Sequence, residues 1–167
     1  MSERIRMNRR IEDEVRNFPF ELIPAKEALL NSMAEAMLDA YQGSIDYEGE
    51  NLQQTVDELK RVFRGSYGPL MEEASYLVME GDQVLSGLLT CLYRGEPSIT
   101  YTFTRKSAQR LGYATLLINK AFDGLYRSGY HLLFLYVTLT NKGAVRLYES
   151  LGFQEVPLTT VTQINID

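Results

Sequence analysis

The sequence predicts an α/β fold: a mixed, mostly antiparallel sheet with helices on both faces. Three observations predict it. The spacing of apolar residues changes from a helical to an alternating period partway along the chain. A strand, a long helix and an almost wholly apolar strand then follow one another over residues 98–139, the order of a parallel crossover. The strands before that unit are joined by short turns, which make neighbours antiparallel.

Each element has its own reason. Residues 19–24 (PFELIP) alternate well enough for a first strand. In residues 26–41, Leu29, Met33, Met37 and Tyr41 recur every fourth position, and Leu30, Ala36 and Ala40 widen the stripe into an amphipathic helix ended by Gly43. A polar loop, SIDYEGEN, leads to Asn51, a natural cap. A second helix follows with Leu52, Val56, Leu59, Val62 and Phe63 on its apolar side, broken by GSYGP. SYLVME and VLSGLLTCLY read as strands around the turn Gly81–Gln83, and residues 98–104 (SITYTFT) as another. A helix is expected over residues 110–127 and is stopped by Gly129. HLLFLYVTL, residues 131–139, reads as a strand buried on both faces. Asn141 then opens a short helix ended by Gly152, and the tail FQEVPLTTVTQINI supplies one or two closing strands interrupted at Pro157.

Composition narrows the possibilities. The 167 residues, 45% of them hydrophobic, suit one domain over 1–167, and no linker divides them. Residues 1–17 read as a flexible or helical N-terminal extension. There Arg4, Arg6, Arg9 and Arg10 precede Glu12, Asp13 and Glu14, which fits a solvated segment, with a homodimer contact as the alternative. A net charge of −5 without a basic stripe argues against a nucleic-acid partner. Nothing in the sequence is apolar enough to span a membrane or to act as a secretory leader. The single cysteine, Cys91, excludes an internal disulfide and a cysteine zinc cluster, so no metal is expected and the cytoplasm is the expected compartment. Cys91 reads as a core residue and His131 as a strand-end polar residue, rather than as a nucleophilic pair.

Two segments carry chemistry. At the junction of strand 98–104 with helix 110–127, Gln109, Gly112 and Ala114 spell Gln-x-x-Gly-x-Ala. A helix N-terminus has free N–H groups and a positive dipole end, and small residues let a pyrophosphate approach closely. Arg105 and Arg110 add charge nearby. The second segment, Asn141 to Phe153, reads Asn-x-x-Ala-x-x-Leu-Tyr-x-x-x-Gly-Phe and directly follows the apolar strand.

Together these segments resemble the two signatures of the GNAT superfamily of acetyl-CoA-dependent N-acetyltransferases, and the resemblance covers about residues 98–156. It implies a GNAT-like fold in which the strands at 98–104 and 131–139 are a central parallel pair that splays apart. It implies acetyl-CoA as co-substrate, with backbone groups of Thr102, Phe103 and Thr104 along the pantetheine arm. Gln109 stands at the first motif position. The N–H groups of Arg110, Leu111, Gly112, Tyr113, Ala114 and Thr115 would lie at the pyrophosphate. Asn141 would lie near the pantetheine, and Tyr148 would be the general acid for the departing sulfur. The partner it implies is a small-molecule or peptide amine. That amine must be deprotonated before it attacks the thioester directly, and an N–H of Phe103 or Thr104 would stabilise the oxyanion.

One position departs from the family pattern. Some members carry a Glu base five residues before the motif Asn, where this chain has Tyr136. Glu96, Glu72, Glu73 and ordered water remain as candidates for the base. The loop with Asp46, Glu48 and Glu50 reads as solvated, with an acceptor-binding role as the alternative. The missing Glu also leaves open a coenzyme A-binding sensor or scaffold without catalysis. A nucleotide-binding module of another α/β type lacks its full glycine fingerprint here.

Overall fold

The computed structural model describes residues 3–158. In chain order its elements are β1 (Arg4–Arg10), β2 (Ile23–Pro24), α1 (Leu30–Tyr41), α2 (Leu52–Phe63), β3 (Tyr76–Glu80), β4 (Gln83–Tyr93), β5 (Glu96–Thr104), α3 (Tyr113–Arg127), β6 (Leu132–Thr138), α4 (Lys142–Ser150) and β7 (Gln154–Val156). The strands form one sheet in the order β2-β3-β4-β5-β6-β1-β7. Every neighbouring pair is antiparallel except β5 with β6. The mixed sheet and its single parallel crossover are those the sequence predicts.

Both faces carry helices. On one, Met33 and Met37 of α1 and Leu59 and Val62 of α2 pack with Leu77, Val84, Leu89 and Phe103 of the sheet. On the other, Leu117, Ile118, Phe122 and Leu125 of α3 meet Val78, Leu88, Leu133 and Leu135, joined by Tyr148 of α4 and by Phe153. Burial of these apolar stripes supplies the main favourable term for folding.

Local sequence sets the helix ends. Asn51 caps α2 through a reciprocal box: its side chain accepts from the Gln54 N–H at 2.9 Å, and the Gln54 side chain accepts from the Asn51 N–H at 2.9 Å. Helix α3 begins at Tyr113 rather than at residue 110. Arg110 and Gly112 have left-handed φ of 66° and 80°, which a right-handed helix cannot include. Gly124 of α3 lets the 3-10 turn Glu72–Ala74 come into contact, because a Cβ there would run into the Glu73 carbonyl.

The N-terminal segment corrects the expectation of a flexible or helical extension. Residues 4–10 form β1, inserted between β6 and β7. Ile5, Met7 and Ile11 alternate into the α3-side core. Three of the strand's arginines are accommodated by stacking their guanidinium groups on aromatic rings, while Arg10 is exposed. Arg6 lies 4.1 Å from the Phe134 ring centroid, Arg9 4.6 Å from that of Phe122, and Arg4 5.4 Å from that of Tyr136. Arg6 is buried and pairs with Glu96 at 2.7 Å. The strand expected over residues 19–24 is reduced to Ile23–Pro24, since a proline at each end of that stretch removes ladder donors. Of the closing strands, Gln154–Val156 is observed, and the expected continuation past residue 158 lies outside the described residues.

Candidate active site

Strands β5 and β6 pair only at Ser98↔Phe134 and Ile99↔Leu135. A register shift in the β4–β5 ladder leaves Thr100 without an opposite number, directly after the last of these pairs. Such a bulge bends a strand. From there β5 continues against β4 up to Ser86↔Thr104, while β6 continues against β1 up to Arg4↔Thr138. The sheet therefore divides, and a cavity of about 1140 Å³ occupies the gap.

Thr102, Asn141 and Tyr148, singled out in the sequence, all line this cleft. Tyr148 is 6% exposed, and its ring stands edge-on to Phe153. Its hydroxyl makes no hydrogen bond among the described residues, and burial raises its pKa above the ordinary phenol value. The Tyr41 hydroxyl donates to the Thr102 carbonyl at 3.2 Å. Its pKa is also raised, first by burial and then by Tyr148, Asp46 and Glu50. Asn141 caps α4, its Oδ1 accepting from the Ala144 N–H at 3.2 Å.

Phe103 turns its ring into the core beneath α1 and α2, its backbone is paired with Gly87 of β4, and its carbonyl also accepts from Ser86 Oγ at 2.9 Å. Thr104 shares a 2.7 Å hydrogen bond with Ser86, and its carbonyl accepts from Gln109 Nε2 at 3.2 Å. This contact folds the Gln109–Thr115 turn back onto the strand end. The first bond of the α3 ladder runs from the Leu116 N–H to the Gly112 carbonyl, at 3.1 Å. The N–H groups of Leu111, Gly112, Tyr113, Ala114 and Thr115 meet no protein acceptor among the described residues. A Cβ added at Gly112 would meet nothing within 4 Å, so this turn is open to a ligand. Arg105 is turned away, its Nε donating to the Val84 carbonyl at 2.6 Å.

The carboxylates are arranged differently from the sequence reading. Glu96 is occupied by Arg6, and Glu72 and Glu73 lie in the 3-10 turn against α3. None of the three lines the cleft, whereas Glu58 of α2 does. Glu58 accepts from Tyr67 and Tyr101 hydroxyls and from Arg61 Nε at 2.9 Å. Sequence reasoning missed it because a Glu on the polar side of an amphipathic helix looks solvated; no local signal marks it. Asp46, Glu48, Glu50 and Asp57 line the same cleft, against Arg4 and Arg61. Cys91 is buried in the core below α1 and α2, and His131 meets the Tyr126 ring edge-on.

A mixed sheet parted at its one parallel pair, with a free helix N-terminus at the end of the first of those strands, defines an acyltransferase fold. The chain belongs to the acetyltransferase (GNAT) family, whose sequence profile matches residues 32–153. No curated protein matches the sequence. Among solved structures the chain is similar to PH1933 from Pyrococcus horikoshii OT3, with a TM-score of 0.68, 21% identity and coverage of 82% of this chain and 90% of that one. It is also similar to the ribosomal-protein-S18-alanine N-acetyltransferase from Escherichia coli, with a TM-score of 0.65, 18% identity and coverage of 82% and 79%. A third is the GCN5-related N-acetyltransferase from Sphaerobacter thermophilus, with a TM-score of 0.67, 18% identity and coverage of 92% of this chain and 48% of that one. The chain thus spans about half the length of the Sphaerobacter protein. At these identities the structural likeness concerns the fold; the enzyme class rests on the family.

Proposed function

We propose that the chain transfers an acetyl group from acetyl-CoA to a primary amine, by direct attack in a ternary complex held between β5 and β6. The observation that carries this is the Tyr148 hydroxyl: the residue is 6% exposed, the hydroxyl has no hydrogen-bond partner among the described residues, and it lines the cleft where the two strands part. A phenol O–H that opens into a cleft from an otherwise buried side chain is placed to meet a ligand there.

The residues present fit the co-substrate. Left-handed Arg110 and Gly112 expose a run of N–H groups at the start of α3, which suits a pyrophosphate. The backbone N–H groups of Thr102 and Thr104 face an edge with no β6 partner, which suits the pantetheine arm, while that of Phe103 is directed to β4. Asn141 lies beside that path. Acetyl-CoA supplies the activated thioester. The neutral amine attacks its carbonyl, a backbone N–H of β5 stabilises the oxyanion, and Tyr148 Oη–H gives its proton to the departing sulfur. Burial keeps that phenol protonated through the neutral range, as a general acid requires.

Calorimetric titration of acetyl-CoA into wild type and Gly112→Glu tests the reading. Binding to the wild type alone, together with turnover in an amine panel, supports it. Binding without amine-dependent turnover would instead indicate a coenzyme A sensor. No binding to the wild type would remove the assignment.

A further inference from the structure

Three elements converge on one carboxylate in the wall of the cleft. Glu58, half-buried on α2, accepts from Tyr67 of the following loop, at 2.5 Å, and from Tyr101 of β5. Each phenol spends its only proton on that carboxylate and turns oxygen lone pairs to anything else that reaches it. Arg61 Nε, the charged donor at this corner, is itself bonded to Glu58 at 2.9 Å. Asp46, Glu50 and Asp57 line the same cavity. So does Tyr148, 6% exposed as a residue, whose hydroxyl opens into the cavity without a hydrogen-bond partner among the described residues and marks it as a place for a ligand. A wall of hydrogen-bond acceptors, negative charge and phenol rings suits an organic cation.

The reacting amine cannot be that cation, because it must be neutral when it attacks. We infer that the acceptor carries a second ammonium group, held by Glu58 and the Tyr101 oxygen, so that diamines and polyamines are preferred over monoamines. This rests on the acetyl-transfer reading, which it deepens. Glu58 acts here in specificity and not as the base. Burial works to raise its carboxyl pKa, but the hydrogen bonds from Tyr101, Tyr67 and Arg61 outweigh it and hold the group below the usual carboxylate value. It stays ionised at neutral pH and accepts protons poorly.

Putrescine and butylamine differ by one ammonium group, and their binding in the presence of coenzyme A can be compared by calorimetry on wild type, Glu58→Gln and Tyr101→Phe. Wild type is expected to bind putrescine about tenfold or more tightly than butylamine, and both variants to lose most of that margin. In turnover, Glu58→Gln should lower kcat/KM for putrescine at least about tenfold more than for butylamine, mainly through KM. Equal wild-type affinities, an equal loss for both amines, or a preference for an amino acid with an anionic far end would each overturn the inference. Undiminished coenzyme A binding by both variants shows that the fold persists. Failure of the parent reading is distinct: selective putrescine binding without consumption of acetyl-CoA on any amine would remove transfer and leave the dication site.

Discussion

The Asp46 carboxylate accepts a hydrogen bond from Thr138 Oγ1 at 2.9 Å, joining the α1–α2 loop to the end of β6. Its other oxygen accepts from Asn141 Nδ2 at 3.5 Å. One side chain therefore ties the helical wall of the cleft to the strand and helix cap opposite. A net hydrogen bond of this kind is worth about 1 kcal/mol. Asp46→Ala should speed hydrogen exchange of the amides in the α1–α2 loop about fivefold and lower Tm by about 2–4 °C. Unchanged loop exchange would mean that other contacts hold the segment.

Two glycines should respond to alanine for opposite reasons. Gly112 has φ 80° and open space where a Cβ would go, so Gly112→Ala meets backbone strain alone, about 1–2 kcal/mol. Gly124 is helical and unstrained, but its new methyl would run into the Glu73 carbonyl. Shifting backbone against backbone makes Gly124→Ala the costlier change, about 3 kcal/mol. Urea midpoints of the two variants should fall in that order.

The phenols of Tyr41, Tyr101 and Tyr148 all have raised pKa values, with burial the largest cause in each. A group whose folded pKa lies above its unfolded value contributes stability that is full below the unfolded value, near 10, and is lost as pH rises toward the folded one. Stability should therefore be flat through neutrality on this account and decline above about pH 10. Tyrosinate absorbance should show these three ionising only as the fold opens. Tyr148→Phe should lower kcat about a hundredfold while acetyl-CoA affinity changes little, and should flatten the alkaline decline.

Arg6 is buried, its Nε has no partner among the described residues, and its charge is balanced by Glu96 at 2.7 Å. Removing only the acid leaves a buried, uncompensated guanidinium. Glu96→Gln should destabilise by about 2–4 kcal/mol, and Arg6→Met combined with Glu96→Gln should recover much of that. A double-mutant cycle by urea denaturation measures the coupling. Full amine-dependent turnover in Glu96→Gln would also confirm that this carboxylate is not the base.

Regular features were readable where local chemistry alone decides them. The Asn51 cap with Gln54, the long apolar side of α3 and the apolar run of β6 are local patterns, and each became the expected element. Strand β1 was hidden because four of its seven residues are arginines, and the burial of Arg6 and Arg9 depends on rings contributed by Phe134 and Phe122 far along the chain. The motif residues Thr102, Asn141 and Tyr148 came together in one cleft. Glu58 could not be foreseen, since its partners Tyr67 and Tyr101 sit on two other segments that only the folded sheet brings to it.

The placement of β1 also has a kinetic side. Strands β3, β4 and β5 join through short hairpins, so their pairing closes small loops. Strand β1 pairs with residues 132–138 and 154–156, and both ladders must wait for nearly the whole described chain. Loop closure across such separations is slow, and long-range pairing of this sort sets the pace of folding. The line between the locally assembled half and the late one falls between β5 and β6. The gap between β5 and β6 thus coincides with the seam at which the sheet is completed.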